Sequence, residues 1–94
     1  MNVRRLLLDV DKAVSRPELI TLAEAIDHVP GVEGANITVT EIDIETVGMD
    51  ITVEGSEMDH AALIKAIEDT GAVVHSIDQV VIGDRIVERI RRER

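Results

Sequence analysis

The sequence predicts an α+β fold in which a four-stranded antiparallel sheet carries two helices on one face. Three observations predict it. Apolar and polar residues alternate along the stretch from Val29 to Gly55, which is the pattern of two half-buried strands joined as a hairpin. On either side of that hairpin the apolar residues take helical spacing, and a strand-like run stands outside each helical segment. The element string is therefore βαββαβ.

The first strand is predicted over Val3 to Asp11, with Leu6, Leu8 and Val10 on one face and Arg5, Leu7, Asp9 and Asp11 on the other. Ser15 and Glu18 have the spacing of a capping box, and Pro17 suits a first turn, where a missing N–H costs little. Leu19, Leu22, Ala23 and Ile26 then predict a helix ending near His28, stopped by Pro30 and Gly31. In the hairpin, Ala35, Ile37 and Val39 alternate with Asn36, Thr38 and Thr40, and Met49, Ile51 and Val53 alternate with Asp50, Thr52 and Glu54. Ile42 and Ile44 fall out of phase, which predicts a β-bulge near Thr40 or Glu41 and sets Glu41, Asp43 and Glu45 on one face. Gly48 marks the reversal, in a loop between Glu45 and Gly48.

Asp59, alone or with Ser56, is placed to cap a second helix lined by His60, Leu63, Ile64 and Ile67 and stopped by Gly71. Val73 to Ile82 returns as the last strand, broken by Gly83. This order is the split βαβ of the ferredoxin-like sandwich, one domain over residues 1–83. One sheet face is left open, and Leu7, Ile42 and Ile44 are expected there, meeting another subunit. Residues 84–94 form a separate arginine-rich extension whose spacing fits a short strand as well as a helix.

Composition narrows the function classes. With 94 residues, 45% of them hydrophobic and none aromatic, the chain supports a single core built from Ile, Val, Leu, Ala and Met. There is no cysteine, so disulfides and thiolate metal sites are excluded. No apolar run approaches a bilayer span and no signal-peptide core is present, which predicts a soluble cytoplasmic protein. The formal net charge is −9, and only Lys12 and Lys65 are lysines. An acidic surface of this kind suits a salt-rich, halophilic cytoplasm, where salt screens self-repulsion and carboxylates hold water. The charge is uneven: residues 84–94 carry five arginines against three acids, a net of +2 beside −11 on the rest.

The stretches Leu6 to Val10 (LLLDV), Gly31 to Thr46 (GVEGANITVTEIDIET) and Ile64 to Gly83 (IKAIEDTGAVVHSIDQVVIG) resemble the archaeal domain-of-unknown-function 211 family. The resemblance runs through nearly the whole chain in order. It implies a ferredoxin-like fold, assembly into ring-like homo-oligomers and an association with calcium, for a family whose biochemical role is unestablished. A looser likeness to heavy-metal-carrying ferredoxin-like domains fails at the loop from Lys12 to Arg16, which lacks their two cysteines.

In the split βαβ topology the end of the first strand, the hairpin loop and the start of the last strand share one end of the sheet. Asp9, Asp11, Glu41, Asp43, Glu45, Asp50 and His75 are therefore candidates to converge. Oxygen donors in such number suit Ca²⁺, which tolerates irregular geometry. Asp9, Glu41, Asp43 and Glu45 lie in the family-like stretches and are the chosen metal ligands, beside the plain reading of solvated surface acids. His75 and Ser76 are strand neighbours expected to face opposite ways, so they form no base and nucleophile pair. His28 suits a helix C-terminus. No phosphate-binding glycine motif occurs. The tail arginines are interrupted by Glu88 and Glu93, with no aromatic residue to stack on bases, which speaks against nucleic acid and for salt bridges to an acidic neighbouring subunit.

The reading is a non-enzymatic homo-oligomer binding Ca²⁺ through strand-end carboxylates near subunit interfaces. The alternative is a regulatory module that senses a small molecule held between subunits.

Overall fold

The computed structural model describes residues 1–93. It contains β1 (Val3–Ala13), α1 (Leu19–Asp27), β2 (Val32–Ile42), β3 (Thr46–Gly55), α2 (His60–Asp69) and β4 (Val73–Ile82). The four strands form one antiparallel sheet in the order β2-β3-β1-β4. This is the ferredoxin-like α+β sandwich, with both helices on one face.

Alternation decides which side chains go inside. Leu6, Leu8 and Val10 of β1 and Met49, Ile51 and Val53 of β3 are buried against Leu22 and Ile26 of α1 and Leu63 and Ile67 of α2. Each such burial contributes about 2 kcal/mol of transfer free energy. The helices cover the two central strands and stop short of the edges. On β2, Ile37 and Val39 are only half-buried and Ile42 is exposed, while on β4 Ile77, Val80 and Ile82 are exposed although their cross-strand partners are core residues.

Two glycines fix the bottom of the sheet, where α1 leads into β2. Gly31 has φ +88°, a conformation other residues rarely adopt. Its carbonyl accepts a hydrogen bond from Ser56 N–H at 3.0 Å and lies against Gly55, where a Cβ would collide with it.

Several local expectations give way. The chain reverses at Asp43 to Glu45, not at Gly48, which pairs with Asp11 and Glu41 inside β3. Helix α1 starts only at Leu19, with Glu18 as N-cap and no side-chain cap. Ser15 is thus too far upstream to reach the first helical amides, and Pro17 is buried. Asp59 alone caps α2, accepting from Ala62 N–H at 3.1 Å. The bulge near Thr40 is present, between Val39 and Glu41.

The open face is polar where an apolar one was expected. Ile42 pairs with Val47 and so points to the helix side, and Ile44 sits in the loop. Leu7 is half-buried on the open face, and Val81 is buried there, outside the main core. Over residues 84–93 the extension is neither strand nor helix. It turns at Gly83, whose N–H donates to the Asn2 carbonyl at 2.9 Å, and Arg4 donates to the Asp84 carbonyl at 2.9 Å. Arg5, on the open face, then takes Glu88 in a two-point ion pair at 2.7 and 3.0 Å while also holding Glu54 at 2.7 Å. The guanidinium pulls the Glu88 carboxyl below its ordinary pKa, and the two carboxylates, Glu88 first, raise that of Arg5.

Candidate cation-binding face

Strand register assembles the acids. On the open face Asp9 stands directly across from Asp50, which is flanked on its other side by Thr38. Like charges placed directly opposite each other destabilise strand pairing. One step towards the hairpin, Gly48 lies between Asp11 and Glu41. A Cβ on Gly48 would stand 3.5 Å from Asp11 Oδ1, 3.6 Å from Glu41 Cβ and 3.7 Å from Thr40 Oγ1. The missing side chain therefore leaves a gap walled by two acids and a hydroxyl.

His75 Nε2 lies 2.8 Å from Asp11 Oδ2, which brings β4 to the same spot. Two irregularities in β4 make this possible. Its core-side residues are Val74, Ile77, Val80 and Ile82, spaced by three, three and two, because two of the three register shifts against β1, at Leu7/Leu8 and Asp9/Val10, each add a residue on β4. Simple alternation predicted that His75 and Ser76 face opposite ways; the shift brings both to the open side. They still form no catalytic pair, since Ser76 Oγ donates to Asp78 Oδ1 at 2.7 Å. Lys12 offers no counter-charge here: it is buried on the helix side and donates to the Ala13 and Val14 carbonyls at 3.1 and 3.2 Å.

The four chosen acids therefore divide. Asp9 and Glu41 are on the open face in adjacent rows. Asp43 and Glu45 belong to the hairpin tip, where the Asp43 carboxylate accepts Ile44 N–H at 2.8 Å and the Glu45 carbonyl accepts Val14 N–H at 3.2 Å. Among the described residues no three His, Asp or Glu side chains gather around one point within a chain. Ca²⁺ takes six to eight oxygens, so one chain by itself does not form its shell. Sequence reasoning undervalued Asp11, whose link to His75 depends on the β4 register shift. His28 Nδ1 reaches the Glu24 carbonyl at 2.7 Å and closes the last turn of α1.

Fold and face define a ferredoxin-like α+β domain with an acidic, open sheet surface. No helix among the described residues is long and apolar enough to cross a membrane. The chain belongs to the DUF211 family, described as "Uncharacterized ArCR", which it matches over residues 4–94. It is similar to the uncharacterized protein MJ0319 of Methanocaldococcus jannaschii, 38% identical over 90 residues that cover 96% of this chain and 92% of the relative. The family has no established role.

Proposed function

We propose that the chain is a non-enzymatic homo-oligomer, ring-like in form, whose subunits share divalent cations, Ca²⁺ foremost, between the open-face acids of one copy and the hairpin-tip acids of the next. The carrying observation is the division just described. Among the described residues Asp9, Asp11, Glu41 and Asp50 form no ion pair with lysine or arginine, and the remaining acids, Asp43 and Glu45, stand at a tip beside the exposed Ile44. A second chain completes what one chain leaves open, and the ion relieves repulsion between acidic subunits.

The two edges favour a ring. The apolar flank of β4 and that of β2 are different surfaces at opposite sides of one molecule, so joining them is a head-to-tail contact, which closes when the rotation allows. A salt-rich cytoplasm suits the acidic surface.

The test is a calorimetric Ca²⁺ titration of chelator-stripped protein in high KCl with Mg²⁺ as competitor, the mass being followed by light scattering. Saturable binding accompanied by a rise in mass supports the reading. Heat of dilution alone, with mass unchanged, removes the cation and returns the acids to surface hydration.

A further inference from the structure

Helix α1 stops short of β2, and the strip between them is a groove of about 490 Å³. Its lining is apolar: Leu19, Ile20 and Ala23 from the helix, Val32, Ala35 and Ile37 from the strand. Glu24 and Asp27 also border it, three positions apart and so on neighbouring turns of one helix side. Among the described residues neither carboxylate takes part in an ion pair.

The chain carries a segment of opposite character. Past Gly83, Val87 and Ile90 are 66% and 88% exposed, with Arg89, Arg91 and Arg92 exposed around them. We propose that the groove between α1 and β2 receives Val87 to Arg92 of a second copy, the two apolar side chains against its lining and the arginines against Glu24 and Asp27. Three observations select this occupant. The charges are complementary, with the cationic segment drawn to the acidic body. The segment follows β4 directly, so a head-to-tail contact between the β4 flank of one copy and the β2 flank of the next carries it towards the groove. The chain's own segment leaves β4 at the sheet edge opposite β2, so the groove of a second copy at the β4 edge is the nearer one, and docking there draws Glu88 off Arg5. The inference rests on the head-to-tail homo-oligomer reading and not on the cation.

The experiment is a charge swap in the full chain, read as mass by light scattering at moderate salt, with far-UV circular dichroism as the check on folding. E24R/D27R and R89E/R91E/R92E are each expected to lower the mass, as is V87D/I90D. Both charge sets in one chain are expected to restore it, and mixing the two singly reversed chains is expected to give a mixed assembly. Unchanged mass in both sets overturns the docking and leaves the homo-oligomer standing. Loss without rescue also overturns it, and a monomeric wild type removes both readings.

Discussion

Replacing Gly48 by alanine separates the proposed cation from the fold more cleanly than removing a carboxylate. Gly48 lies inside β3 without a positive φ, and the nearest atoms to an added Cβ are 3.5 to 3.7 Å away, ordinary van der Waals contact. Alanine in a strand interior is more stable than glycine by about 0.5–1 kcal/mol. For a domain of this size that raises Tm by about 4 °C. The same methyl group enters the space between Asp11 and Glu41. An ion bridging them at oxygen distances of about 2.3–2.6 Å has to give way, and a weakening of at least about tenfold, or ~1.4 kcal/mol, is expected. Thermal melting is followed by circular dichroism, since the chain has neither Trp nor Tyr, and affinity by Ca²⁺ calorimetry. A higher Tm together with weaker binding places the ion over Gly48. Unchanged affinity refutes that placement, and a lower Tm refutes the packing described around β3.

Gly55→Ala is expected to act in the opposite sense, because its Cβ meets the Gly31 carbonyl, a backbone atom. A loss of about 3 kcal/mol is expected in chemical denaturation, and a loss under 0.5 kcal/mol contradicts the close approach. Glu88→Gln is expected to free residues 89–93 at neutral pH, measured as faster amide motion by NMR relaxation. Because Arg5 lowers the Glu88 pKa below 4.5, the latch in the wild type is complete above that value and lost as pH falls through the lowered one. A tail equally mobile in wild type and variant at pH 7 rules the latch out.

Much of the fold was readable because burial imposes period. Leu6, Leu8 and Val10, or Met49, Ile51 and Val53, can satisfy a one-sided core only as strands, and Asp59 sits where a helix needs an acceptor. What failed depended on partners distant in sequence. Gly48 looks like a turn locally, yet Val47 and Met49 on either side continue the inward alternation, and that was the overlooked signal. In β4 the spacing of Val74, Ile77 and Val80 by threes announced the irregularities that turn His75 towards Asp11. The capping box at Ser15 was a matter of spacing alone, and the buried Pro17 delays the helix. As for the acids, residue type was legible and grouping was not. That Asp9 faces Asp50 is a property of the unbroken β1–β3 register, and that Glu41 flanks Gly48 is set by the bulge after Val39.

Both free edges of the sheet are interrupted. β4 shifts register against β1 three times along its length, and β2 pairs regularly with β3 only from Gly34 to Val39. A bent edge offers a poor template for another strand. The backbone itself thus discourages open-ended stacking of sheet on sheet edge, and leaves contact between copies to side chains, which can be chosen for partner and angle. A thin plate of 39 × 38 × 16 Å with apolar flanks is thereby a poor unit for a fibre built strand upon strand.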